Sequence, residues 1–149
     1  MVKEKQTKEK VEKKSNKIVV AGKRKTAVAK ATIGPGNGII KINKKPIETL
    51  SFFRKLSILE PLRLAEDVLK EKAKTYDIDI VVTGGGSESQ IDASRLAIAR
   101  ALVAFTQSPE LRNTYLSYDR SLLVADVRRK ETRKPGDSKA RARRQKSYR

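Results

Sequence analysis

The apolar residues of this chain are confined to its middle, and this limits the part that can form a hydrophobic core. Residues 1–17 are mostly Lys, Glu, Gln and Thr, and after Val127 the hydrophobic residues all but stop. Segments with nothing apolar to bury cannot offset the entropy cost of folding. We therefore predict a disordered Lys-rich arm over residues 1–17, a globular body over 18–127 and an extended Arg-rich C-terminal tail over 128–149.

The net charge of +18 is gathered in particular segments rather than spread over the body. Residues 34–127 carry 13 basic and 12 acidic residues, whereas residues 128–149 carry 11 basic and two acidic ones. The arm adds +4, and residues 18–33 add another +4 without a single acid. Charge that serves only solubility is usually dispersed, so this distribution favours the capture of a polyanion such as a nucleic acid.

Cysteine and histidine are both absent, which removes whole classes of chemistry. Disulfides, Cys/His zinc sites, thiol nucleophiles and imidazole-based catalysis are excluded. The apolar runs are far shorter than the roughly 20 residues that a membrane span needs, and the N-terminal residues lack the apolar stretch of a secretory signal. We expect no enzymatic activity, no cofactor, no metal and no membrane partner.

The apolar pattern predicts an α+β fold in which about four strands form a sheet with helices on one face. One sheet face would then need the tail or a partner to cover it. Pro61 suits the first turn of a second part of the first helix, and Ser87 with Gln90 has the spacing of a capping box. The predicted elements are strands over 18–21, 27–33, 39–42 and 78–82, and helices over 51–74, 87–107 and 109–118.

The C-terminal tail is the strongest candidate for RNA contact. Seven of its 11 basic residues are Arg, whereas the N-terminal arm has only Lys. Arg bonds phosphate in a bidentate manner and stacks on bases, so we predict specific contacts from the tail and non-specific ones from the arm. The predicted RNA-binding residues of the tail are Arg128, Arg129, Lys130, Arg133, Lys134, Lys139, Arg141, Arg143 and Arg144.

Two motifs in the body are further candidates for phosphate contact. Lys23, Arg24 and Lys25 form a basic turn between two strands, where pre-organised side chains lose less entropy on binding. Lysines that protect a sheet edge would give the same pattern. Gly84, Gly85 and Gly86 lie between a strand and a helix N-terminus, where backbone N–H groups can cradle a phosphate. A tight strand-to-helix crossing explains the three glycines equally well.

Other function classes are compatible with parts of the sequence. Asp77, Asp79, Glu88 and Asp92 are the nearest carboxylate cluster for a small nuclease or kinase, and Asp77 with Asp79, which share a face of one strand, could in principle hold a metal. Ordinary solvent-facing residues explain these acids better. A non-specific DNA compactor would share the charge pattern, although it would bind duplex DNA as well as RNA.

Three blocks of sequence together resemble a known family, small-subunit ribosomal protein nine in its archaeal and eukaryotic form. The resemblance covers about residues 18–149, and the three blocks in order are far more specific than any one of them. The blocks are Gly22–Lys30, then Gly84–Gln90 continuing through Ala97–Leu102, and finally Asp126–Arg128 with Glu131–Gly136 and Gln145–Arg149.

The resemblance implies a β-α-β domain of the ribosomal S-five-domain-two type with a left-handed crossover. It also implies an RNA-binding body and binding to small-subunit rRNA in the head of the subunit, in the cytoplasm, beside neighbouring small-subunit ribosomal proteins. The tail of the family threads between rRNA helices and reaches the tRNA in the peptidyl site. The tRNA-contacting residues implied by position are Lys146, Ser147, Tyr148 and Arg149.

An RNA-processing subunit of the ribonuclease P protein type is the main alternative, because that protein resembles this fold and is also basic. It would have a basic helix after the three glycines. Only Arg95 and Arg100 fall in the helix predicted there, which argues against this alternative.

Overall fold

The computed structural model describes residues 17–70, 75–133, 135–136, 139–141 and 148. These residues form five strands and three helices, which confirms an α+β fold, with five strands rather than about four. Two short 3-10 turns follow β4 and α3, at Ile47–Thr49 and Arg120–Leu122. The elements are β1 (Ile18–Arg24), β2 (Ala27–Pro35), β3 (Ile40–Ile42), β4 (Lys45–Pro46), α1 (Phe52–Leu69), β5 (Tyr76–Thr83), α2 (Ser87–Thr106) and α3 (Pro109–Tyr118).

The strands form one mixed sheet in the order β1-β2-β5-β3-β4. All neighbouring pairs are antiparallel except β3 and β5, which run parallel and are joined through α1. The fifth strand, β4, was not predicted. It pairs Lys45 with Ile42 and Pro46 with Lys41, and two residues are too few to show the alternation by which a strand is recognised.

The core lies on the face of the sheet that α2 covers. Ile78, Ile80 and Val82 of β5 are buried there beside the small residues of β2. Gly22 of β1 lies so close to α2 that a Cβ added to it would be 2.3 Å from the Ala93 carbonyl oxygen. Small residues therefore set the close approach between β1 and α2.

The opposite sheet face, called the open face below, consists of the alternate residues of the same strands. In the described residues no helix lies on it, and most of its side chains are exposed. Its members are Val19, Ala21 and Lys23 of β1, Val28, Lys30 and Thr32 of β2, Asp79, Val81 and Thr83 of β5, and Lys41 of β3.

Helix α1 differs from its prediction around Pro61. It is one continuous helix with Pro61 buried inside it, so the prediction of a second part beginning at Pro61 is wrong. The Pro61 carbonyl accepts a hydrogen bond from the Tyr115 hydroxyl at 2.6 Å, which ties α3 to α1. Burial of Tyr115 raises the pKa of its hydroxyl. Tertiary packing therefore outweighs the loss of the backbone hydrogen bond that proline removes from a helix. The last part of the predicted helix, residues 71–74, lies outside the described residues.

The start of α2 also differs from its prediction. The N-cap is Gly86, and the side chain of Ser89 exchanges hydrogen bonds with the Gly86 N–H (3.2 Å) and carbonyl (3.1 Å). Ser87 is already the first helical residue, so the predicted capping box of Ser87 and Gln90 is wrong. Gln90 instead donates from its side chain to the Gly84 carbonyl at 3.1 Å. No described helix is long and apolar enough to cross a membrane.

Candidate nucleic-acid interface

The basic segment at the end of β1 is more strand than turn. Lys23 and Arg24 belong to β1, opposite Val28 and Ala27, and only Lys25 and Thr26 form the turn. The prediction that all three basic residues sit in one turn is therefore wrong in its geometry. Gly22 allows the strand to continue because it fits beneath α2.

The three basic side chains consequently lie in three different environments. Lys23 is exposed on the open face, whereas Arg24 points to the helix side and is half-buried. Lys25 occupies the first position of the two-residue turn with φ +52°, a conformation that favours Gly or Asn over a side chain such as Lys. A non-glycine residue held there is a reason to look for a role of its charge.

Arg24 is occupied by carboxylates of the same chain. Its Nε lies 3.4 Å from the Asp92 carboxylate, and its Nη1 forms a closer ion pair with Asp126. Asp126 also accepts hydrogen bonds from the backbone N–H (2.8 Å) and Nη2 (2.7 Å) of Arg128. These residues line a groove of about 570 Å³, together with Lys23, Arg95 and Arg120. The groove is rich in cations, but Asp126 already engages two of them.

The chain leaves the body along a fixed path. Arg100 of α2 donates to the Leu123 carbonyl at 2.8 Å and to the Ala21 carbonyl of β1 at 3.1 Å. Asp126 then fixes the next turn of the chain through Arg24 and Arg128. Sequence reasoning missed Arg100 and Asp126 as positioning residues, because nothing in their local pattern indicates partners on distant segments. We call Arg100 with Asp126 the tail root.

The described tail residues beyond this root are exposed. Arg141 forms a bidentate pair with Glu131, at 2.9 Å from Nε, and this pair raises the pKa of the Arg141 guanidinium. Both side chains are at least half exposed, and exposed pairs contribute little to stability, so a phosphate can replace Glu131 at low cost. Three of the predicted contacts, Arg129, Lys130 and Arg133, have no described partner on the protein.

The remaining predicted tail residues fall into two groups. Lys139 and Tyr148 are exposed. The other six lie outside the described residues, namely Lys134, Arg143, Arg144, Lys146, Ser147 and Arg149.

The three glycines form the junction between β5 and α2, next to the basic turn. Gly84 and Gly85 have φ of +73° and +70°, and a Cβ at either would lie within 3 Å of Thr26 or Ala27. The tight strand-to-helix crossing, one of the two explanations offered for the three glycines, is thus present. The N–H of Gly86 is already used by Ser89, and a phosphate role for the three glycines stays a prediction.

The four acids considered as an alternative metal site do not come together. Asp77 accepts the N–H groups of Asn37 (2.8 Å) and Ile39 (2.9 Å) in the β2–β3 connection. Glu88 pairs with Arg54 at 2.8 Å, and Asp92 faces Arg24. In the part of the chain that the structure describes, no three acidic side chains come close enough to hold a metal ion.

The two arginines of α2 serve the fold, which bears on the ribonuclease P alternative. Arg95 lies 2.6 Å from Glu60 of α1 and 3.1 Å from Asp119, which follows α3. Arg100 holds the tail root. The helix after the three glycines therefore offers no unengaged arginine for RNA, and the alternative finds no support.

Comparison with known proteins agrees with the arrangement of basic segments around a small α+β body. Residues 22–149 match the family described as ribosomal protein S9/S16. The chain belongs to this family. Over 133 residues it is 51% identical to the small ribosomal subunit protein uS9 of Thermoplasma volcanium, covering 89% of this chain and 98% of the relative.

Two further relatives carry the same name. The protein of Methanococcus vannielii is 49% identical over 135 residues, covering 89% of this chain and 98% of the relative. That of Thermoplasma acidophilum is 49% identical over 133 residues, covering 89% and 100%. The resemblance to small-subunit ribosomal protein nine is confirmed, and with it the expectation of a structural, non-enzymatic ribosomal protein that acts in translation in the cytoplasm.

Proposed function

We propose that the chain binds small-subunit rRNA in the head of the subunit through its C-terminal tail, and that residues 146–149 contact peptidyl-site tRNA. The observation that carries the rRNA part is the contrast at the tail root. In the body and at the root, arginines such as Arg95 and Arg100 are engaged by the protein itself. Beyond it, Arg129, Lys130 and Arg133 are exposed and have no described protein partner.

The tail has the chemistry of a phosphate ligand. It carries 11 basic residues against two acidic ones, and guanidinium groups match phosphate oxygens in pairs. Its sequence has almost nothing apolar to bury, so RNA supplies the interactions that order it. The ribosomal S-five-domain-two class and the left-handed β3–α1–β5 crossover stay predictions beside this proposal.

The rRNA part is tested by removing residues 129–149 and measuring binding to deproteinised small-subunit rRNA over a range of salt. For about eight phosphate contacts the full chain should show a log–log salt slope of roughly −6 to −7, and the truncated chain a much shallower one. A matched control changes the six arginines of residues 129–149 to lysine. It should keep most of the slope but lose preference for small-subunit rRNA over unrelated RNA.

Two results would contradict this part of the proposal. A slope near zero for the full chain would exclude phosphate contact by the tail. An unchanged preference in the arginine-to-lysine variant would show that only the net charge of the tail matters.

The basic turn is tested by separating its charges. Lys23→Ala with Lys25→Ala should weaken rRNA binding without lowering the free energy of unfolding, because both side chains are exposed. Arg24→Ala should act mainly on stability, because its partners are Asp92 and Asp126. Unchanged rRNA binding in the double variant would leave edge protection as the explanation of the lysines.

The tRNA part is tested by deleting residues 147–149. We expect the shortened protein to assemble into small subunits, while the particles hold peptidyl-site tRNA less tightly or keep the reading frame less faithfully. Arg149→Lys is the control that keeps the charge. If tRNA affinity and frame maintenance both match those of the unaltered subunit, the tRNA contact is wrong.

A further inference from the structure

The open face of the sheet is an uncovered surface whose role the proposed RNA binding by the tail does not explain. Val19 and Val81 are 63% and 58% exposed on it, and neither belongs to the apolar residues that pack against the core. Half of the sheet surface is therefore left uncovered by the described protein.

Lysines cross this face on a diagonal. Lys23 of β1 pairs with Val28 of β2, and Lys30 lies two residues further along β2. Lys30 pairs in turn with Val81 of β5. Two residues from Val81 on β5 is Asp79, which pairs with Lys41 of β3. From ordinary strand spacing, Lys23 and Lys30 are about 8 Å apart and Lys30 and Lys41 about 12 Å apart. The row thus runs from the edge strand β1 across the centre of the sheet to β3.

The protein leaves these lysines unpaired. In the described residues, Lys23, Lys30 and Lys41 form no ion pair and no side-chain hydrogen bond. Of the acids on this side, Asp77 is occupied by two backbone N–H groups, which leaves Asp79 as the unengaged one. This contrasts with the helix side, where Arg24, Arg54 and Arg95 each pair with a carboxylate.

The side chains around the lysines indicate which part of an RNA they suit. The face contains Val, Ala and Thr between its charges and no aromatic ring, so it offers no platform on which a base could stack. Lysine presents a point charge that suits a phosphate without reading sequence. Lysine is also depleted in protein–protein interfaces, so a protein partner suits the face less well.

The geometry points to the open face as a second RNA-binding surface, one that holds the sugar–phosphate backbone of rRNA through Lys23, Lys30 and Lys41. Lys30 and Lys41 are its new members. The inference rests on the proposed rRNA binding and adds a surface that acts independently of the tail. The row would guide one RNA strand obliquely over β2 and β5, while the tail engages RNA at the edge of the body.

The test uses the full chain carrying Lys30→Ala and Lys41→Ala together. Lys45→Ala with Lys55→Ala is the matched control, because it removes the same charge from the helix side. Each phosphate contact is worth about five- to eightfold in affinity over the decade of salt from about 1 M down to about 0.1 M. The test variant loses two contacts, so it should bind deproteinised rRNA about 25- to 60-fold more weakly at about 0.1 M salt. Its log–log slope should be shallower by about 1.4 to 1.8, whereas the control should lose less than about threefold.

The outcomes separate this inference from the proposed function. Equal losses in the two double variants would overturn the surface and leave only a net-charge effect, while tail-dependent binding would stand. Normal binding to free rRNA with poor incorporation into subunits would overturn it in favour of a protein partner. No salt-dependent binding by the unaltered chain would overturn both. Lys30→Gln with Lys41→Gln, which keeps more of each side chain than alanine does, must repeat the loss if the Lys30→Ala, Lys41→Ala variant folds poorly.

Discussion

The two faces of the central sheet are built from alternate residues of the same strands, and they have opposite physical roles. On the covered face Ile78 and Ile80 are at most 1% exposed, whereas Asp79 between them is exposed and Val81 is 58% exposed. The covered face holds the fold together, and the open face displays charge that the protein does not neutralise. Mutations of neighbouring residues on one strand should therefore differ greatly in how much they lower the free energy of unfolding.

The largest effect is expected from a pair of neighbours on β5. Ile80→Ala should lower the free energy of unfolding by about 3–4 kcal/mol, because it leaves a cavity under α2. Val81→Ala should lower it by less than about 0.5 kcal/mol. Urea unfolding followed by circular dichroism measures both variants. Similar losses in the two would show that the open face is packed and that the two faces are not distinct.

A clash on β1 should give the next largest effect. Gly22→Ala places a Cβ against the Ala93 carbonyl and Ala97 of α2, and overpacking of this kind costs about 2 kcal/mol. Ala21→Val, one residue earlier on the open face, adds more atoms and should change stability by less than about 0.5 kcal/mol. A stable Gly22→Ala protein in the same unfolding assay would mean that α2 can move away from β1.

The attachment of the helix layer can be tested at α3. Tyr115→Phe leaves the Pro61 carbonyl without its donor and should cost about 1–2 kcal/mol. Tyr118→Phe, at a tyrosine that is 57% exposed, is the control and should cost less. Thermal unfolding by calorimetry compares the two variants. Equal transition temperatures would show that the Tyr115–Pro61 hydrogen bond does not stabilise the attachment of α3.

The smallest effect is a dependence on pH. Hydrogen bonds from Ser121, followed by the interaction with Arg95, hold the pKa of the Asp119 carboxyl below its usual range. A lowered folded-state pKa contributes stability above the unfolded value of about 3.9, and that stability is lost as the pH falls through the folded value. The contribution should be under about 1 kcal/mol, since water screens a side chain that is 36% exposed.

The measurement for this last prediction compares the unaltered chain with Asp119→Asn. The difference in their free energies of unfolding should be largest near pH 7 and should shrink as the pH falls through the folded-state pKa of Asp119, because the carboxyl then becomes neutral like the amide. A difference that grows toward acid pH would mean that Asp119 is destabilising in its charged form.

The sequence predicts those parts of the fold that depend on local pattern. The alternation at 78–82 and the three-to-four spacing after Ser87 are local, and both elements form near their predicted bounds. The extension of β1 through Arg24 could not be predicted, because Gly22 and its basic neighbours resemble a turn until α2 packs on the glycine. Pro61 likewise looks like a helix start, and only burial shows why it lies inside one.

The candidate site, like the fold, has features that local sequence predicts and features that depend on tertiary contacts. The charge of the tail is visible in the composition alone, and membership of the ribosomal protein S9 family agrees with the prediction that the tail binds RNA. The pairing of Arg24 with Asp92 and Asp126 is not visible, because the three residues are far apart in sequence and meet only through the tertiary fold. Lys30 and Lys41 look like ordinary strand lysines until the sheet register places them on the open face.

The tail root gives the tail a fixed origin. Because Asp126 orients Arg128, the 21 residues that follow are measured from one point of the body, and at full extension they could reach no further than about 75 Å. Each residue inserted or deleted there would alter that maximum reach by about 3.5 Å. If residues 146–149 contact tRNA as proposed above, the length of the tail acts as a ruler, and its tolerance to insertions should be far lower than its loose composition suggests.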